Sequence, residues 1–570
     1  MELVSFVHGF AIERELREAM SRWIRPARSN TTPSKDARSL TLPWWWSYGL
    51  LLLVVLFFGM IRVRLLNFPL ERDEGEYAYS GQLILQGIAP YQLCYSMKLP
   101  GTAAAYALFM AIFGQTAVGV HLGLLVVNSA SIVLVYFLAR RIFDPLAGVV
   151  ACASFAALSI GPSILGFAGH ASQFVVLPAI GGILILLKAI DSENLGTFFS
   201  SGLLLGLAFL MKQPGIFFVL FALFYLTFRE WKQGLQWRNL AECLGMLLLG
   251  AALPFALTCL ILWRAGVFEK FWLWTFSYAR QYGTRVPFSQ GLENLWGAAS
   301  SVTRPAAFIW LIAAAGVIAL LWNAKARICA VLILGLLIFS FAAVCSGFYF
   351  RLHYFIVLLP AVSLLCGAAV SLSTAALRDS LRNLPWALIP SLLFVLALSL
   401  AIVHDGAFFF RTEPVVSCRA IYGLNPFPEA VKIGDFIARH SAEGDRIAVL
   451  GSEPEIYLYS HRHSATGYIY TYPLMEPQPF ASDMQREMAS EIEKANPRFV
   501  VVVDIPESWL RETDSDTSIL SWSDAYVRSR YQLVGVADLL NEGTEYRWDN
   551  DARTYSPRSA LQVLVFEKHD

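Results

Sequence analysis

Arg72-Asp73-Glu74-Gly75-Glu76-Tyr77 sets three carboxylates within four residues, and Lys98 follows in Met97-Lys98-Leu99-Pro100. Both segments read as a loop between the first two long apolar runs. A carboxylate there can take the proton of a hydroxyl and raise its nucleophilicity as it attacks. A charged lysine cannot, but it can neutralise a departing phosphate. Asp73 and Glu74 are therefore candidate bases and Lys98 the candidate phosphate partner. An Asp-Glu pair alone is weak evidence, because solvated loop charges look the same. What adds weight is its company of Glu76 and the tyrosines Tyr77, Tyr79, Tyr91 and Tyr95. Of these, Glu76, Tyr77 and Tyr91 are candidate substrate contacts.

Three further places carry charge at membrane depth. Lys212 sits in Met211-Lys212-Gln213-Pro214-Gly215, which one helix cannot cross comfortably because proline removes a backbone donor and clashes one turn back. A lysine there is expensive enough to need a phosphate or a partner, unless it snorkels to the interface. Arg351 and His353, in Tyr349-Phe350-Arg351-Leu352-His353-Tyr354, open a late apolar run where a lipid headgroup would lie; an aromatic belt with a positive anchor has the same pattern. Phe268, Phe271, Trp272, Trp274, Phe276 and Tyr278, ahead of Arg280 and Tyr282, read as an amphipathic interfacial helix able to guide a polyprenyl tail.

The elements that must position these groups are membrane helices. Of 570 residues 56% are hydrophobic and 15% charged, with a net charge of +1, and the mean hydropathy is +0.52; this describes an integral membrane protein. With no basic stripe, nucleic acid is excluded as a partner. At roughly 20 apolar residues per crossing, spans fall near 44–61, 119–139, 146–162, 172–190, 198–211, 214–228, 240–263, 305–322, 328–346, 353–373 and 385–404, about eleven in all. The run 101–114 is too short to span and lies along the interface or re-enters.

Residues 1–43 form an arginine-rich tail without the apolar region of a cleaved signal peptide. With Arg140, Arg141, Lys188, Arg229, Lys325 and Arg378 on the same side, the positive-inside rule makes that side cytoplasmic. The loops 62–118 and 264–304 and the region 405–570 then face outward. The membrane unit is 44–404. After it, strands at 446–451, 498–504, 531–537 and 561–566, with helices at 428–440 and 482–495, indicate an α/β domain that covers the active face or holds an acceptor. It contains no phosphate loop, zinc spacing or nucleophile elbow. Of eight cysteines, only Cys94 and Cys418 face the outer compartment, where they could pair.

The Asp73-Glu74 segment, Lys98-Leu99-Pro100, the break at Lys212 and Arg351-Leu352-His353-Tyr354 together resemble the GT-C membrane glycosyltransferases. The closest likeness is to the branch of dolichyl-phosphate-mannose protein mannosyltransferases and bacterial lipid A aminoarabinose transferases, over roughly residues 44–373. The resemblance implies an α-helical polytopic GT-C protein of the inner membrane that moves a sugar, with inversion, from a polyprenyl-phosphate donor to an acceptor hydroxyl on the outer face. By it Asp73 matches the catalytic first-loop aspartate, Glu74 its neighbour, and Lys98 the lysine near the donor phosphate. Lys212, Arg351 and His353 join Lys98 as donor-phosphate candidates, and Tyr354 and Arg280 as contacts. Met97 stands where the aminoarabinose branch has an acid, and Gly169 to Gln173 where relatives often have another carboxylate. His170 is a candidate polar substitute there, or a loop histidine without such a role. A divalent metal, the sugar and the acceptor (protein, lipid or glycan) stay open. Rival readings are a flippase for lipid-linked sugars, which would also need a broken helix and buried charge, and a non-catalytic scaffold of the same fold.

Overall fold

The computed structural model describes residues 45–324, 326–381 and 384–569; the tail 1–43 lies outside them. Among the described residues nine helical segments are long and apolar enough to cross a membrane: Trp46–Arg64, Ala117–Ile142, Ala171–Ser192, Gln213–Lys232, Trp237–Arg264, Phe288–Trp322, Ala326–Val344, Leu352–Ser380 and Pro385–His404. The other two expected spans are the shorter apolar helices Pro145–Leu158 and Leu195–Met211. Leu195–Met211 packs on Trp237–Arg264 almost backbone to backbone: a Cβ on Gly202 would lie 2.0 Å from the Leu247 carbonyl oxygen, and one on Gly206 2.2 Å from that of Ala251. Small residues permit such approach where lipid gives helices little hydrophobic reason to associate.

Two boundaries differ from expectation. The segment read as the end of an outer loop is helix Phe288–Thr303, which runs through a turn at Arg304–Ala306 into Ala307–Trp322. Pro305 stands at the start of that turn, where a missing N–H costs least, so proline kinks this span instead of ending it. The acidic segment is likewise a helix, Arg72–Leu85, not a loop. Glu71 caps it: its carboxylate accepts the Glu74 N–H at 2.9 Å, while the Glu74 carboxylate accepts the Glu71 N–H at 3.4 Å. This reciprocal cap satisfies two otherwise orphaned donors and sets Asp73 and Glu74 in the first turn, where the helix dipole favours negative charge.

The C-terminal sheet has six strands: β1 (Arg446–Leu450), β2 (His463–Ser464), β3 (Phe499–Asp504), β4 (Tyr531–Leu540), β5 (Gly543–Trp548) and β6 (Gln562–Lys568). Their order is β2-β1-β3-β6-β4-β5. β1 pairs parallel with β2 and β3, and the remaining pairs are antiparallel. The four expected strands and both helices are present; β2, of two residues, and the charged hairpin strand β5 are additions. Between the membrane helices and the sheet, Phe408, Phe409, Cys418 and Phe427 pack into the membrane core. Cys94 packs in the sheet-side core instead, and both cysteines are free thiols, so the pair considered from sequence is not formed.

Candidate active site

Helix Arg72–Leu85 is the floor of the site, and its first residue fastens it to the C-terminal domain. The Arg72 guanidinium donates to the Ser452 carbonyl at 2.6 Å and the Glu453 carboxylate at 2.8 Å, with the rings of Phe427 and Tyr472 each 5.4 Å away. The Glu453 side chain is wholly buried. Three residues on, Gly75 presses against the same domain: a Cβ there would meet the Glu455 backbone nitrogen at 2.6 Å.

Between these two fixings, half-buried Asp73 faces the site. Its Oδ1 accepts from Lys98 Nζ at 2.8 Å and from the Tyr470 hydroxyl at 3.1 Å, and its Oδ2 lies 3.6 Å from His170 Nδ1. Although burial opposes ionisation, the charges of Lys98, His170 and His353 hold the Asp73 carboxyl well below the usual range. Lys98 also donates to Glu76 Oε2 at 2.5 Å and lies 4.5 Å from the centre of the Tyr77 ring. Tyr91, in the left-handed region at φ 67°, donates to the Lys98 carbonyl at 2.8 Å. Asp73 and Glu76 thus take two of the three N–H groups of the ammonium, and Tyr77 lies against it as well.

Glu74, by contrast, faces away into protein. It is fully buried, and its Oε1 accepts the Gly169 N–H at 2.6 Å and lies 3.1 Å from His121 Nε2. Tyr106 in turn donates to the Gly169 carbonyl at 2.7 Å. Gly169, just before His170, is thus held at both its N–H and its carbonyl, with the buried Glu74 side chain turned toward it. His170 stacks on His353, ring centres 3.9 Å apart and nearly parallel. Both His170 ring nitrogens are buried without a hydrogen bond, although Nδ1 lies 3.6 Å from the carboxylates of both Glu71 and Asp73. Burial opposes its protonation, but the charges of Glu71, Asp73 and Glu74 outweigh that and raise its pKa.

Ligand atoms of Asp73, His170 and His353 lie within 4.8 Å of one another. Two imidazoles and a carboxylate suit a divalent ion such as Zn2+ or Mn2+, and His170 ring nitrogens that make no hydrogen bond fit that donor set.

The other cations ring the same centre. Lys212 ends its helix, donates to Ser172 Oγ at 3.1 Å and sits 3.7 Å from the centre of the Tyr354 ring. Exposed Arg351 lies 5.8 Å from the Tyr349 ring. Its chain turns sharply just before, with Phe348 and Phe350 at φ 58° and 46°, a backbone strain that tends to gather at functional sites. Arg280 is exposed, and no hydrogen bond or ion pair among the described residues ties it to Asp73 or Lys98. Its segment does close over the site: Tyr282 stacks on Tyr349 at 4.3 Å, and Arg285 bridges Glu476 at 3.3 Å and Glu512 at 2.5 Å. Tyr79 and Tyr95 serve the C-terminal domain instead, Tyr79 accepting the Ser464 N–H and Tyr95 donating to Glu491. Sequence reasoning missed Tyr470, which reaches Asp73 from 397 positions away.

Comparison with known proteins bears on the fold. The model of the dolichyl-phosphate-mannose-protein mannosyltransferase family matches residues 98–264, from Lys98 through the break at Lys212. Among curated protein sequences none matches. ArnT from Cupriavidus metallidurans, solved with undecaprenyl phosphate, superposes with a TM-score of 0.56 at 14% identity, covering 92% of this chain and 98% of that one. The archaeal oligosaccharyltransferase AglB from Archaeoglobus fulgidus, solved with an inhibitory peptide and a dolichol-phosphate, gives 0.52 at 14% identity over 91% and 76%. The fold is that of the GT-C membrane glycosyltransferases. Over residues 98–264 the sequence is also similar to that mannosyltransferase family.

Proposed function

We propose that this protein transfers a sugar from a polyprenyl-phosphate donor to an acceptor hydroxyl at the extracytoplasmic face of the inner membrane, with inversion and with Asp73 as general base. The observation that carries the reading is the Asp73–Lys98 pair, 2.8 Å apart, in a fold whose relatives were solved with undecaprenyl phosphate and dolichol-phosphate. Asp73 Oδ2 takes the acceptor proton as the acceptor oxygen attacks the anomeric carbon. The bond from that carbon to the phosphate oxygen breaks, and its electron pair leaves on the polyprenyl phosphate. The Lys98 ammonium, with Lys212, Arg351 and His353, meets the growing phosphate charge, the costliest charge in the step. An acceptor that attacks from the side opposite the phosphate inverts the carbon in one displacement. Glu74 keeps His170 in place, while Glu76, Tyr77 and Tyr91 hold Lys98.

A divalent ion, if held by Asp73, His170 and His353, would add Lewis-acid charge for the phosphate. Purified protein given polyprenyl-phosphate sugars tests the proposal: wild type releases polyprenyl phosphate with an acceptor present, and Asp73→Asn loses at least a hundredfold in rate. Unchanged transfer by Asp73→Asn overturns the base assignment. Wild type inert with every donor, yet moving lipid-linked sugar across vesicles, favours the transporter.

A further inference from the structure

The outer domain reaches the reacting carboxylate at one side chain. Half-buried Tyr470 donates its hydroxyl to Asp73 Oδ1 at 3.1 Å, and its ring centre lies 5.6 Å from Lys98 Nζ. Tyr77, from the floor helix, lies on the same ammonium at 4.5 Å. Membrane unit and outer domain therefore each supply one aromatic ring to Lys98, and the outer domain alone supplies the hydroxyl. The segment bearing Tyr470 is anchored in its own domain. Glu491 accepts from Thr466 Oγ1 at 2.6 Å and from the Gly467 N–H at 3.0 Å, and the Thr471 N–H donates to Ser452 Oγ at 2.9 Å. Ser452 is also the residue whose carbonyl receives Arg72. One continuous set of bonds thus runs from the residue before Asp73, through the outer domain, and back to Asp73.

Resting on the transferase reading above, we infer that Tyr470 is a positioning residue of this site, through which the outer domain fixes the Asp73 carboxylate for the acceptor. With Oδ1 held by Lys98 and Tyr470, the carboxylate cannot rotate, and Oδ2 is the oxygen presented to the incoming hydroxyl. The acceptor proton then moves to Oδ2 in the displacement already written, and Tyr470 keeps its own proton throughout. The domain is therefore a working part of the acceptor side and not a cover alone.

Tyr470→Phe removes the hydroxyl and keeps the ring. A hydrogen bond to a charged group is strong enough that its loss lowers kcat roughly tenfold to a hundredfold, with the donor KM within twofold and the melting temperature unchanged. Added to Asp73→Asn, the same change lowers the residual rate no further, because the two act as one unit. Tyr472→Phe, which loses a bond to the Glu507 carbonyl inside the outer domain, keeps wild-type kcat. A wild-type kcat for Tyr470→Phe, or an equal further loss in the Asp73→Asn background, overturns the inference and leaves the transferase reading standing. An inert wild type defeats that reading and this inference with it.

Discussion

Gly75 gives the sharpest test of whether the outer domain must sit where it does. Alanine in place of glycine inside a helix ordinarily stabilises it by about 0.5–1 kcal/mol, because the glycine backbone has more freedom to lose. Here the added Cβ would lie 2.6 Å from the Glu455 nitrogen and 2.8 Å from Glu455 Cβ and Oε2. Ordinary contact begins near 3.5 Å, so Gly75→Ala must part helix and domain by roughly 0.8 Å or more. Overpacking of this kind costs about 1–3 kcal/mol. The two effects partly cancel, and the melting temperature falls by a few degrees at most. Rate responds more steeply: a misplacement near 1 Å costs on the order of a hundredfold when it disturbs reacting groups, and this shift separates Tyr470 from Asp73. Gly75→Ala should therefore lose ten- to a hundredfold in transfer while remaining folded, as measured by polyprenyl phosphate release alongside thermal unfolding. Gly59→Ala is the control, because a Cβ there meets nothing within 4 Å; it should be at least as stable as wild type with an unchanged rate. Adding Glu455→Ala should not restore Gly75→Ala, since the nearest clash is with backbone. Wild-type transfer by Gly75→Ala would refute the argument that the domain is keyed to the floor helix.

The remaining expectations are brief. Lys98→Met should abolish measurable transfer and lower the melting temperature, since Asp73 and Glu76 lose their shared cation. Arg72→Met strands the buried Glu453 carboxylate, and breaking such a pair costs about 3–5 kcal/mol; adding Glu453→Gln should recover much of that in thermal unfolding. The buried, unpartnered Glu455 carboxyl, facing Glu453, Glu71 and Arg72, has its pKa raised first by burial and then by Glu453. It stays protonated in the fold while ionising in the unfolded chain, so its cost to stability grows as pH rises above the ordinary glutamate range, by up to about 1.4 kcal/mol per unit. Glu455→Gln should remove that dependence, its advantage over wild type widening in unfolding measurements as pH rises above the ordinary glutamate range. If Asp73, His170 and His353 hold a metal, chelator treatment slows transfer, Zn2+ or Mn2+ restores it, and His170→Ala does not respond.

The membrane architecture was readable in the sequence because long apolar runs have one physical meaning: all eleven expected runs are helices. The strands at 446–451 and 498–504 were readable for a similar reason, being buried β-branched runs. What failed was local. Glu71 and Glu74 form a reciprocal cap, but with glutamate at the cap position the pattern lacks the usual serine or threonine, so the helix looked like a loop. β5 carries Glu545 and Arg547 and is only partly buried, which erases alternation. For the site, Asp73, Lys98, Lys212, Arg351 and His353 stood out as charges beside lipid. Glu74 looked like Asp73, because a dipeptide does not say which of its members a helix turns inward. Tyr470 gave no signal, since its meaning lies in a contact that only the folded outer domain makes.

The short helices carry a consequence for the bilayer. At 1.5 Å per residue, Leu195–Met211 is about 25 Å long and Pro145–Leu158 about 21 Å, against a hydrocarbon layer of about 30 Å. Lys212, at the tip of the former, therefore lies a few ångströms below the level at which a full crossing would end. A helix this short matches a bilayer that is thinner beside it, at a modest cost per ångström of mismatch. On the proposed function, such thinning would bring the membrane surface down to a lipid-borne sugar while its isoprenoid stays among the acyl chains.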